Sequence, residues 1–267
     1  MMDMYRSTKG SESDSSQFKA MYLRRLKVFI REPRQWFFTI SPFINVLTTF
    51  LILYSLLHLS ENAELKKVQV DFINVMIAIM FPFILNTGYA TSSGIYMLLP
   101  IEERQQKTRH ILRLSGMKTI PYWTGLFFAD YTLFLIPTVL FATLVSTLKL
   151  EAFSDSIWAF VVTMLGFGFA IISSTYLIAS FFNSQDLAIR WNIVLQLLIG
   201  NLIPLIVMLA FAGATNNPII QVILITIFYF FNPLFTFYLA NYQIVINFFN
   251  QKYPDQKPIV IPLVGGL

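Results

Sequence analysis

Asp130 is the one ionisable residue set well inside a long apolar stretch of this sequence, and few other residues of the chain are placed to do chemistry. A carboxylate in such a stretch is costly and normally faces a helix-bundle interior or a water-filled cavity. Two roles fit it: a pathway or coupling residue, or a structural carboxylate bonded to polar groups of another helix. The structural role is the expected one, with Asn86, Thr87, Thr124 and Tyr131 as candidate partners. On that reading Asn at position 130, which keeps the hydrogen-bonding shape, is tolerated, and Leu harms folding. The two histidines, His58 and His110, stand alone at a span end and in a polar loop, without metal-ligand spacing. No Gly-Lys pair occurs, so the chain has no GxxxxGK[ST] phosphate loop. Absence of Cys excludes disulfides, thiolate metal sites and Cys nucleophiles. No carboxylates are paired within the apolar segments. The expectation is therefore no catalytic, metal or cofactor-binding residue, and no enzyme.

The elements that hold these residues follow from hydropathy. Of 267 residues 56% are hydrophobic and 12% charged, with mean hydropathy +0.63; soluble domains carry about 25% charge. That balance excludes a soluble globular domain and a disordered chain, and points to an all-α integral membrane bundle of five or six transmembrane segments. Expected spans are 36–58, 70–99, 122–148, 157–182 and 191–213, each long enough to cross. Residues 218–249 form a sixth span or a re-entrant hairpin, because within 219–249 Asn232-Pro233 leaves pieces of 13 and 16 residues, shorter than the roughly 20 that a crossing needs. Residues 1–16 are Ser-rich and expected to be disordered. Over 17–34, Phe18, Tyr22, Leu26 and Phe29 share one helical face, with Arg24, Lys27, Arg31 and Arg34 roughly opposite. This is a basic amphipathic helix suited to the membrane surface. Residues 250–267 are left as a tail. The 27 Phe, 12 Tyr and 4 Trp suit lipid contact and interfacial belts. Net charge is +5, and the cations flank apolar runs, which favours anionic lipid headgroups over nucleic acid. Lys and Arg number fourteen in residues 1–35, 100–121 and 183–190, against three in 59–69 and 149–156. Positive charge is retained on the cytosolic side, so the amino terminus and the 100–121 loop are expected there.

That loop, PIEERQQKTRHILRLSGMKTI, is the second feature that stands out. Its first half is charged, with Glu102, Glu103, Arg104, Lys107 and Arg109. Its second half spaces Ile111, Leu114 and Met117 by three around Ser115-Gly116. The pattern describes a stalk continuing the second span, a short helix with one apolar edge, and a Gly stop. An apolar edge on a solvated helix needs a partner surface, with Ile111 and Leu114 as its apolar contacts and Arg109 and Arg113 flanking them.

The loop and its flanks resemble the membrane domain of the A subfamily of ATP-binding cassette transporters, within the wider ABC-2 class (the type II exporter-like fold). The resemblance runs over about residues 17–249. It rests on FKAMYLRRLKVFIREPRQ and on the ordered set Glu103-Arg104, Lys107, Ser115-Gly116, Tyr122-Trp123, Asp130 and Pro137. The family implies that residues 100–121 are the coupling element that docks on a nucleotide-binding domain, in cis or in trans, so Glu103, Arg104 and Gly116 join Arg109, Ile111, Arg113 and Leu114 as coupling residues. It implies ATP and Mg on that domain and none in this chain, a second transmembrane half, and membrane lipids as surroundings. The function implied is a permease domain moving a lipid or other amphipath by ATP-driven alternating access. Phe-rich walls suit an apolar cargo and a lipid-facing surface equally. The chain departs from the family in the roughly eleven residues between the first two spans, where many members carry a large extracellular domain. It also has no following nucleotide-binding domain and no span after 218–249, so the expectation is a fragment. A non-transporting membrane scaffold or truncated remnant is the alternative.

Overall fold

The computed structural model describes residues 13–57, 80–148, 150–202, 226 and 232–252. Residues 1–12, the parts of the expected spans at 58, 70–79, 203–213 and most of 218–231, and the tail from 253 lie outside the described residues. The described residues are helical with no strand among them. In chain order they form α1 (Asp14–Arg31), α2 (Pro33–Leu57), α3 (80–92), α4 (Ile95–Gln105), α5 (Thr108–Leu114), α6 (Thr119–Thr147), α7 (Glu151–Ser154), α8 (Ile157–Ala179), α9 (Gln185–Leu197) and α10 (Pro233–Lys252). A π-turn, Leu198–Leu202, continues α9. Pro33–Ile52, Thr119–Thr147 and Ile157–Ala179 are long and apolar enough to cross a membrane by length and composition. The fold is that of an all-α membrane domain.

Helix α1 begins at Asp14, earlier than the Ser-rich composition suggests. Ser13 is its N-cap, its Oγ accepting from the Ser16 N–H at 3.3 Å, and Asp14 sits in the first turn where the helix dipole favours an acid. Residues 13–16 thus belong to the helix rather than to a tail. Pro33 opens α2, where the missing N–H would have no intrahelical partner. At the far end, Asn232 caps α10. Its Oδ1 accepts from the N–H groups of Leu234 and Phe235 at 3.1 and 3.3 Å, so the Asn-Pro pair is a helix start. The helix it starts runs on to Lys252, 20 residues.

The core lies where α3, α6, α8 and α10 meet. Tyr89, Phe134, Phe141, Phe167 and Phe237 are buried there. Phe167 and Phe237 stack at 4.0 Å, and Tyr89 meets Phe134 and Phe167 at 5.4 and 5.2 Å. In lipid, burial drives association weakly, so close packing and interhelical hydrogen bonds carry it. The bonds form a polar seam. Asn86 donates to Asn201, which donates to the Thr87 hydroxyl; Asn192 donates to the Ser93 hydroxyl at 2.9 Å; and Asn232 donates to Ile199 O, in the π-turn, at 2.6 Å. Outward, Trp158, Val162, Leu177 and Phe181 are exposed, as a lipid-facing surface requires.

Candidate coupling site

Two adjacent arginines of α1 organise the site. The α1 face against α6 centres on Gln17, Met21 and Arg25, all buried. Four-residue spacing places these three on one line along the helix. Close approach is possible because α6 has Gly125 there. A Cβ at that position would lie 2.8 Å from Phe18 O and 2.9 Å from Met21 Cβ. The start of α1 meets the residues just before α6, and its middle meets positions further along α6. Asp14 and Gln17 meet Lys118, Tyr22 meets Thr132, and Arg25 meets Asp130. α1 therefore runs alongside the first four turns of α6.

Arg25 Nε donates to Asp130 Oδ1 at 2.6 Å, both side chains fully buried. Tyr176 of α8 donates to Asp130 Oδ2 at 2.5 Å. Arg25 Nη1 donates to Gln35 Oε1 and Gln35 Nε2 to Glu32 Oε2, each at 2.6 Å. Asp130 thus joins α1, the α1–α2 corner, α6 and α8. The four partners expected from sequence are elsewhere. Asn86 and Thr87 belong to the polar seam, Thr124 bonds Ile120 O of its own helix, and Tyr131 donates to Leu165 O. The cause is physical: a buried carboxylate needs a cation or several donors, and the basic helix supplies the cation.

Arg24, the neighbour of Arg25, pairs with Glu103 Oε1 at 2.8 Å. Glu103 also accepts from the Tyr122 hydroxyl of α6. The next residue along, Arg104, points the other way. It donates to Ala179 O at 2.7 Å, to Ser180 O at 3.0 Å and to Phe182 O, the carbonyls at the end of α8. A cation there also complements the helix dipole. Beside it Gln105 donates to Asn183 O, and Gln185 to Leu98 O. The stalk α4 is thus tied to α1 and α6 by Glu103 and to α8 by Arg104.

Beyond the stalk, Lys107 takes a left-handed φ of 55° and α5 begins. No residue of α5 is buried. Ile111 is 64% and Leu114 77% exposed, and Ile120 at the start of α6 is 75% exposed. Arg113 is exposed, whereas Arg109 turns inward, its guanidinium 4.8 Å from the Trp123 ring and 5.3 Å from that of Tyr122. Gly116, with φ +96°, ends the helix in a conformation side chains resist. Its carbonyl accepts from Gln17 Nε2 at 3.2 Å, fixing the loop to α1. Arg24, Arg25, Gln35, Tyr122 and Tyr176 are the positioning residues that the motif reading did not assign; the available signal was the Arg-Arg pair, two cations opposite a lone intramembrane acid.

A second feature lies between α3 and α9. It is an apolar cleft of about 330 Å³ lined by Phe83, Val194, Leu197, Leu198 and Leu202, with Thr87 and Asn201 as its polar edge.

The ABC-2 family transporter protein profile matches residues 44–263. ABC transporter A family member 11 of Dictyostelium discoideum is 25% identical over 212 residues, covering 79% of this chain and 24% of that protein. Glucosylceramide transporter ABCA12 of Homo sapiens is 26% identical over 130 residues, 48% of this chain and 5% of that protein. ATP-binding cassette sub-family A member 17 of Mus musculus is 31% identical over 103 residues, 38% of this chain and 6% of that protein. The matched region is at most about a quarter of the length of these relatives. No solved structure matches the chain.

Proposed function

Because the chain belongs to the ABC-2 family of transporter proteins, with relatives in the A subfamily of ABC transporters, we propose that it acts as a permease domain that moves a lipid or other amphipath, powered by a nucleotide-binding domain that docks on α5. A second transmembrane half completes the route, and ATP with Mg is held by the nucleotide-binding domain. The amino terminus and the loop carrying α5 face the cytosol, on the charge asymmetry of the loops. One observation carries this reading. A short helix with exposed Ile111 and Leu114 stands on a stalk whose two consecutive charges grip different spans. A push on α5 is delivered through Glu103 to α1 and α6 and through Arg104 to α8. The amphipathic cargo is supported by the apolar cleft with its Thr87–Asn201 edge and by one relative's name as a glucosylceramide transporter.

The test is coupling. Ile111→Asp and Leu114→Asp each set a carboxylate into the docking surface, and an unpaired charge in a dry contact costs several kcal/mol. In the reconstituted assembly with its nucleotide-binding domain, lipid-dependent ATPase activity falls while membrane insertion and thermal midpoint stay normal. Unchanged coupling in both variants refutes docking through α5.

A further inference from the structure

The corner where α1 meets α2 has a chemistry that coupling does not use. Lys27, Arg31 and Arg34 are exposed there, and among the described residues none of the three is in an ion pair. Glu32, the acid among them, is taken by Gln35 Nε2 at 2.6 Å. Large apolar groups stand exposed beside the cations: Ile30 at 64%, Phe37 at 63% and Trp36 at 46%. At 100° per residue, Lys27, Ile30 and Arg31 fall within about 100° of arc, so cations and apolar groups share one face. The corner is also held by its own contacts. Trp36 Nε1 donates to Phe29 O at 2.7 Å, the Phe29 and Trp36 rings stack at 6.0 Å, and Gln35 is held by the buried Arg25. An indole at a span's start, flanked by cations, is the composition of a membrane–water boundary.

We propose that this corner is a binding site for anionic phospholipid headgroups of the leaflet that α1 contacts. Lys27, Arg31 and Arg34 would meet the phosphate and carboxylate groups while Ile30, Trp36 and Phe37 enter the upper acyl region. Charge complementarity selects the occupant: three unpaired cations beside a bilayer attract acidic lipid, and the apolar groups between them exclude a purely aqueous anion. The Arg25–Asp130–Tyr176 network lies directly behind, so an occupied site steadies the α1–α6–α8 junction. The proposal rests on the membrane-embedded reading of α2, and it needs neither a nucleotide-binding domain nor transport.

The experiment uses the full chain reconstituted in phosphatidylcholine bilayers with trace spin-labelled phosphatidylserine or phosphatidylcholine. The motionally restricted fraction of each label gives the relative affinity. The expected result is a phosphatidylserine preference that weakens with salt. In Lys27→Gln/Arg31→Gln/Arg34→Gln it falls roughly fivefold per cation removed at the occupied site. The charge-keeping Lys27→Arg/Arg31→Lys/Arg34→Lys variant retains it, and Arg113→Gln, an exposed cation on α5, leaves it unchanged. Single Arg34→Gln reads the same effect at smaller size if the triple variant unfolds. A preference kept in the Gln variants, or lost equally in Arg113→Gln, overturns the site. Displacement of the lipid by inorganic phosphate at matched ionic strength overturns the lipid assignment. Because no nucleotide is present, these outcomes are independent of whether α5 docks on an ATPase.

Discussion

The Arg25–Asp130 pair makes the sharpest demand at the scale of single residues. Removing one member of a buried pair leaves the other charge uncompensated, typically at 3–5 kcal/mol, whereas replacing both by apolar groups is often neutral. Arg25→Met and Asp130→Leu should each lower the thermal midpoint in detergent strongly, and the double variant should recover most of the loss. Asp130→Asn should also destabilise, because Arg25 loses its counter-ion although the shape is kept; the sequence alone pointed to tolerance. Additive losses in the double variant would show that the two side chains do not act as a pair. That Asp130 needed satisfaction was legible from its place in an apolar run. Its partner was not, because the basic-face pattern took in Arg24, Lys27, Arg31 and Arg34 and passed over Arg25, which at 100° per residue falls about 20° from Phe18, beside the apolar face. The α6 surface then supplies the acid that this arginine meets.

Between elements, the packing of α1 on α6 depends on the absence of a side chain at Gly125. A methyl there meets backbone at 2.8 Å, and overpacking of this kind costs about 1–3 kcal/mol. Gly125→Ala should therefore raise amide hydrogen exchange in α1 while leaving the middle of α8 protected; equal exchange in both would place the contact elsewhere. Arg104→Ala should free the carbonyls at the end of α8 and uncouple the stalk from it, seen as faster exchange at 177–183 with the core intact. The sequence marked several of these elements well. Apolar spacing with Ser115-Gly116 outlined the short helix now placed at Thr108–Leu114 and ended by Gly116. It misread Ser13–Ser16 as tail because composition hides a capping serine, whereas the break it placed at Asn232-Pro233 is where α10 starts. Arg109 carried no sign of its inward turn, which depends on the Trp123 and Tyr122 rings above it.

For the whole molecule, the arrangement is a bundle with one end wired by charge and the rest packed by aromatic rings. Its orientation rests on loop cations and is open to labelling in a chain without native Cys. Cys introduced at Lys107 should be spared by an impermeant reagent added outside intact cells, and Cys at Asp155, exposed after α7, should be labelled; the reverse pattern inverts the topology. The proposed role of α5 is to be the face that receives an ATPase. Its most direct test is a photo-reactive amino acid at Ile111 in native membranes, with peptides of the adduct identified by mass spectrometry. Cross-links are expected to a polypeptide segment bearing a phosphate loop, on the same or another chain, with a yield that changes when nucleotide is added. Adducts confined to lipid, or to segments of this chain's own spans, with no nucleotide-binding peptide under either condition, would contradict it.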